Sequence, residues 1–267
     1  MRYTDSGPPR YGGVPYNALE IFSLKVIELK EGLQWPVRVF GLVVVRNSLD
    51  HKRNVLFDRA KDNCQTLTAE DSSLVLTGPR RAIALIDPLE FEVELRVLGS
   101  MPSEETVLSV VYFEYNNNRY NHSKAGLIQT CIESSKRSTI ELKYSQLRDP
   151  LEATIEVRRE EGLCDFHGRF YAHMEYMGED DVVVLLDSKD LKVNFTSDGH
   201  VLLSRNVVLV EEGAKLILGV KAWQNGGAHS AVEDKAEFPA RLHSRSDGLF
   251  DVGFCKMSVT VAWSVLC

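Results

Sequence analysis

The sequence predicts an all-β protein made of two related antiparallel β-sandwich-like halves, with little helix. Three observations predict it. Apolar residues recur with a period of two, not 3.6, in one segment after another. The segments are short and are divided by clusters of Gly, Pro, Asn and Asp. Finally, blocks from the first half recur in the same order in the second.

The first strand is expected at IFSLKVIEL (residues 21–29), where Phe22, Leu24 and Val26 alternate with Ser23 and Lys25. Glu31-Gly32 turns the chain into residues 33–46, whose core, 37–45, is apolar on both faces around Gly41. Such a strand is covered on both sides or crosses between sheets at its glycine. The cleanest alternation is EFEVELRV (residues 90–97): Phe91, Val93, Leu95 and Val97 face one way, Glu90, Glu92, Glu94 and Arg96 the other. Short strands are also expected at 74–76, 83–86 and 107–115, parted by Thr77-Gly78-Pro79 and Asp87-Pro88. NNNRYNHSKAG (residues 116–126) is almost free of apolar groups and reads as a solvated loop. Beyond it, strands are expected at 139–144, 154–158, 169–176, 182–186, 191–195, 201–210, 216–223 and 258–265. In residues 169–176, Phe170, Ala172, Met174 and Tyr176 share a side.

This gives four segments: a flexible Gly/Pro-rich lead-in at 1–19, a first sandwich-like half at 20–115, a connecting loop region at 116–138, and a second half at 139–267. Val39-Phe40-Gly41 compares with Phe166-His167-Gly168, Val55 to Asp58 with Val184 to Asp187, and Arg81 to Asp87 with Arg205 to Glu211. What the copies do not share is equally informative. The span from Asp58 to Arg81 is longer than that from Asp187 to Arg205, and the excess is DRAKDNCQTLTAED (residues 58–71). Inserted loops carry function more often than framework strands do. Asp62, Asn63, Gln65 and Thr66 are therefore the expected binding residues, either contacting a ligand or protein partner or locking the loop itself.

Charge and composition narrow the function classes. A formal net charge of −7 disfavours a general nucleic-acid or anionic-membrane binder. No apolar run approaches the roughly 18 residues of a membrane-spanning helix. The start, MRYTDSGPPRYGGVPYN, has no apolar leader core, and the five cysteines are scattered without a CxxC pair. Both features fit reduced thiols in a cytoplasmic or nuclear protein without structural zinc. No cofactor is expected, because no G-x-G-x-x-G, P-loop, G-x-S-x-G or HExxH pattern occurs. Cys64 with His51 lacks an orienting third group and reads as a structural thiol. His167 and His173 share a strand face, but two histidines seldom suffice for a metal. Asp58, Asp62 and Asp71 offer oxygen ligands without calcium-loop spacing, so a calcium-responsive module is an alternative only. Trp35, Trp223 and Trp263 lie on or beside strands and read as core plugs.

Four ordered blocks carry a resemblance: residues 21–54, DNCQTLT (62–68), LVLTGPRRAI (74–83) and DVGFCKMSVTVAWS (251–264). Together they resemble a plant domain of unknown function, number 6598, expanded in grasses. A similar domain follows an rRNA N-glycosidase domain in a cereal jasmonate-induced protein. The resemblance thus implies a role in stress or defence by association, with glycosidase-associated activity as an alternative. The glycosidase itself resembles a mixed α/β fold with a helical Glu–Arg pair, which this sequence lacks. The expected function is a non-catalytic binding or interaction module with an unknown protein or small-ligand partner.

Overall fold

The computed structural model describes residues 3–7, 16–47, 51–86, 88–99, 104–116, 126–162, 165–178, 180–189, 191–224 and 231–266. Residues 8–15 of the expected lead-in, 117–125 of the polar loop, Cys164 and Cys267 lie outside them. Among the described residues there are seventeen strands, one short 3₁₀ turn at Lys61–Asn63 and no α-helix. The chain forms two compact units, Asn17–Gln146 and Leu147–Cys267, the latter joined by Met1–Tyr16.

The N-terminal unit contains β1 (Ala18–Leu29), β2 (Val37–Arg46), β3 (Asn54–Arg59), β4 (Gln65–Leu67), β5 (Ile83–Ala84), β6 (Leu89–Leu98), β7 (Glu105–Tyr115), β8 (Ile128–Ser134) and β9 (Ser138–Leu147). One sheet runs β5-β1-β9-β8 and the other β3-β2-β6-β7, with β4 added to β2. Their inner faces share one core: Leu24 and Val26 of β1 and Ile140 and Leu142 of β9 pack in a cluster with Val43, Phe91, Val93 and Leu95. Burying these alternating side chains is the main force that holds the sheets together.

The C-terminal unit contains β10 (Pro150–Gly162), β11 (His167–Met174), β12 (Val183–Asp187), β13 (Val207–Glu211), β14 (Lys215–Trp223), β15 (Val232–Pro239), β16 (His243–Asp251) and β17 (Cys255–Val265). Its sheets run β13-β10-β17-β16 and β12-β11-β14-β15. Phe170 of β11 meets Phe250 of β16 at 6.5 Å between ring centroids, so the inner faces of both sheets meet here too. Trp263, fully buried on β17, plugs this unit; Trp223 is only half-buried and Trp35 half-buried against the N-terminal core.

Strand for strand, the second order reproduces the first once β4 is set aside. The correspondence extends to irregularities. The β2–β3 ladder shifts register between Val43 and Val44, two residues after Gly41. The β11–β12 ladder shifts between Phe170 and Tyr171, two residues after Gly168. A bulge kept at the same step of two ladders marks two copies of one architecture.

The boundary between units differs from the expected loop at 116–138. β8 lies inside that segment, and β9 pairs with β1, so the first unit continues to Gln146. Pairing decides this: β9 supplies Ile140 and Leu142 to the N-terminal core. The described part of the lead-in is also engaged. Ser244 N–H donates to Thr4 O at 2.8 Å, Tyr3 N–H to Ser264 Oγ at 3.3 Å, and Asp5 pairs with Arg245. Residues 191–195 form no strand beyond the Phe195–Val201 bridge, and residues 74–76 run beside β1 through Leu74 N–H to Leu24 O at 2.8 Å.

Gly41 shows how tightly β2 and β6 approach. Its φ is +128°, and a Cβ there would lie 2.1 Å from the Glu94 carbonyl oxygen. Neither the backbone conformation nor the backbone neighbour can yield cheaply. Gly41→Ala is expected to lower unfolding free energy by about 2 kcal/mol or more in urea titration. A change within about 0.5 kcal/mol, the range of an ordinary surface substitution, would contradict this close approach.

Candidate functional site

The inserted loop of the N-terminal unit is built around Gln65. Pairing Val39 with Gln65 and Val37 with Leu67 holds β4 on the edge of β2 and turns Gln65 inward. Gln65 is buried, and its Nε2 donates to Ser73 O at 2.8 Å while its Oε1 accepts from Val75 N–H at 2.9 Å. One amide thus satisfies a donor and an acceptor of an incoming backbone, standing in for a strand partner. Thr68 Oγ1 accepts from Asp71 N–H at 3.0 Å and closes the next turn. Asp62, Asn63 and Thr66 are exposed, and Cys64 is half-buried between them. Asn63 lies at the edge of hydrogen-bond range from Arg59 Nη1, 3.4 Å through its carbonyl and 3.5 Å through Oδ1. Asp58 and Asp71 do not gather with Asp62: among the described residues no three His, Cys, Asp or Glu side chains form a metal-sized cluster.

A second polar constellation lies on the outer face of β12-β11-β14-β15. Inward Phe170, Ala172 and Met174 fix the parity of β11, so His167, Arg169, Tyr171 and His173 face outward. Tyr176 lies past the strand end, half exposed, with its hydroxyl donating to Glu211 Oε2 at 2.6 Å. Ladder register then sets three rows. Asp187, Arg169, Lys221 and Glu233 form the first; Tyr171, Gly219 and Lys235 the second; His173, Ile217 and Glu237 the third. Arg169, Tyr171, His173, Lys221, Glu233 and Lys235, with Asp180 and Val182 beyond the β11 turn, line a cleft of about 170 Å³.

Gly219 makes this arrangement possible. A Cβ at that position would fall 2.2 Å from the Tyr171 ring, which therefore lies flat across β14. The ring reaches Glu233 on the next strand, to which its hydroxyl donates. That bond first, then the ammonium groups of Lys221 and Lys235, holds the Glu233 carboxyl below the usual carboxylate range. Its contribution to folding is present above the ordinary Glu value and is lost only as pH falls through the lowered one. Lys221 and Lys235 each stand 3.5 Å from Glu233.

Two nitrogens in the cleft lining have no hydrogen-bond partner among the described residues although solvent does not reach them: Arg169 Nε and His173 Nε2. His173 Nδ1 lies 3.0 Å from Met174 O. A carbonyl only accepts, so Nδ1 carries a proton and Nε2 is left for another partner. Arg169 Nε is 4.0 Å from Asp187 Oδ2, too long for a hydrogen bond. Buried polar atoms of this kind are open to a water or a ligand.

The two copies diverge at this face. Aligned through Gly41 and Gly168, Arg169 stands where the first copy has Leu42, Lys221 where it has Glu94, and Lys235 where it has Tyr112. Tyr171 and Gly219 replace Val44 and Glu92, and Glu92 in the first copy pairs with Arg46 and Arg53. His173 was visible in the sequence as a partner of His167 in strand parity. His167 itself is buried, stacked on Trp223 at 5.9 Å and held through Nδ1 near Lys189 O at 3.1 Å. Lys221, Glu233 and Lys235 were not singled out in the sequence. The signal for Lys221 is its alignment with Glu94, and β15 carries too little apolar alternation to declare itself a strand.

Removing the Gln65 amide leaves Ser73 O and Val75 N–H without partners in a part-buried setting. Gln65→Ala is expected to cost about 2 kcal/mol in urea titration, while Thr66→Ala stays within about 0.5 kcal/mol. Equal effects at the two positions would show that Gln65 is not the lock.

The chain is similar, at 9% identity and a TM-score of 0.31, to human GIVD cytosolic phospholipase A2, with 95% of this chain and 31% of that chain covered. It thus spans about a third of that chain's length. It is also similar, at 9% identity and a TM-score of 0.29, to the calcium-bound pair of C2 domains of extended synaptotagmin 2, covering 95% of this chain and 98% of that one. At these scores neither likeness decides function. No curated protein matches the chain. A family model does, over residues 18–261, and the chain accordingly belongs to the family described as Domain of unknown function (DUF6598).

Proposed function

We propose that the chain is a non-catalytic binding module whose ligand site is the cleft on the outer face of β11, β14 and β15. The observation that carries this reading is the replacement, at the aligned positions of the second copy, of Leu42, Glu94 and Tyr112 by Arg169, Lys221 and Lys235 around a polar cleft. Arg169 stands directly opposite Lys221, and like charges facing each other across strands are destabilising, although each cation also has a carboxylate on its other side. A ligand that meets them gives the arrangement a purpose. Its ligand is small and polar, because about 170 Å³ is below the roughly 300 Å³ at which drug-sized pockets begin. In the N-terminal unit the exposed Asp62, Asn63 and Thr66 form a separate polar surface for partner contact, with Gln65 as its lock. The resemblance to plant stress-associated domains supports a role in stress or defence physiology, and the scattered cysteines without a CxxC pair fit a place in the cytoplasm or nucleus.

Titrating the labelled full chain with a panel of sugars, amino acids, carboxylates and phosphate esters tests the reading by amide NMR shifts. The expected result is a saturable response concentrated on β11, β14 and β15 for at least one compound, with no turnover of it. Gly219→Ala, which pushes Tyr171 off β14, should abolish that response while the remaining amide spectrum stays dispersed. A response confined to other surfaces, or chemical conversion of the bound compound, would overturn the assignment.

A further inference from the structure

We infer that the occupant of the cleft is a phosphate monoester group, and that Glu233 is a built-in competitor for its place. The inference deepens the binding-module reading and rests on it. Three cations converge from three neighbouring strands: Arg169 on β11, Lys221 on β14 and Lys235 on β15. Two are ammonium groups, which act as point charges, and one is a guanidinium with a planar fork for two oxygens. A tetrahedral dianion offers enough oxygens to meet all three, whereas a carboxylate offers two. His173 Nε2, without a partner, adds a further nitrogen to the lining, and as an imidazolium N–H it donates to an oxygen of that dianion.

The anions in the same cleft set the strength of this seat. Glu233 already stands between Lys221 and Lys235 and takes the Tyr171 hydroxyl. Asp187 faces Arg169 from β12, but one of its oxygens accepts from Lys189 N–H at 3.0 Å and the other is 4.0 Å from the guanidinium. Asp180 lies exposed at the rim. Glu233, a carboxylate on exposed β15, thus pairs with both lysines, and a more highly charged ligand displaces it. In the first copy the aligned positions are Leu42, Glu94 and Tyr112, which offer an anion no cation.

The phosphate group could be carried by a soluble ester or by a lipid headgroup, and the test separates them. Calorimetry of the full chain at constant ionic strength would use inorganic phosphate and glucose 6-phosphate. Sedimentation would use phosphatidylcholine vesicles with and without phosphatidic acid. Saturable phosphate binding is expected, weakened by about tenfold or more in Lys221→Gln and Arg169→Gln, a change well resolved by calorimetry. Lys221→Arg should retain binding, and Glu233→Gln should tighten it severalfold. Glucose 6-phosphate binding without sedimentation on phosphatidic acid assigns a soluble ester; sedimentation that needs phosphatidic acid assigns a headgroup. No saturable phosphate binding in either the wild type or Glu233→Gln overturns the inference. So does binding that Lys221→Gln and Arg169→Gln leave unchanged. If phosphate fails while another panel compound shifts the β11, β14 and β15 amides, the ligand class falls and the binding module stands. If none shifts them, both fall.

Discussion

Everything on the C-terminal outer face depends on the register of the β11–β14 ladder. Arg169 opposite Lys221, and Tyr171 opposite Gly219, put two cations side by side and open a lane for the Tyr171 ring. A slip of one residue would turn Phe170, Ala172 and Met174 to solvent and the polar set into the core. Burial of those three side chains therefore fixes the polar geometry without any polar contact having to do so. The bulge between Phe170 and Tyr171 adds local twist where the ring turns toward β15.

The duplicated architecture supplies an internal control. The same strand order, the same bulge step and the same glycine on the central strand occur twice, so shared features belong to the sandwich. On the first outer face, Glu92 pairs with both Arg46 and Arg53 across β2, β6 and the segment before β3. On the second, a glycine and three cations open a cleft. The first copy diverged elsewhere, by adding β4 and the loop that Gln65 locks. Each unit has thus departed from the common frame at a different place.

Much of the frame was legible from period-two alternation. Phe91, Val93, Leu95 and Val97 announce β6, and Val259, Val261 and Trp263 announce β17, because a half-buried strand must segregate its faces. β8, β15 and β16 were not legible. They lie at sheet edges, are exposed over much of their length, and carry sequences such as VEDKAEFP in which burial imposes little pattern. That gap hid half of the cleft, since Glu233 and Lys235 sit on β15. It also displaced the unit boundary, because β8 and β9 close the first sheet only through pairings with no local signature. The loop insertion at residues 58–71 was legible as a length difference, yet the inward turn of Gln65 follows from its register with Val39.

The central claim is that one copy of the sandwich carries a ligand seat and the other does not. A crystal structure of the full chain equilibrated with phosphate tests it most directly. The account predicts a tetrahedral anion among Arg169, Lys221 and Lys235, with the Glu233 carboxylate drawn aside, and none on the Leu42, Glu94 and Tyr112 face. An empty cleft, or an anion on the first copy's face instead, would contradict it.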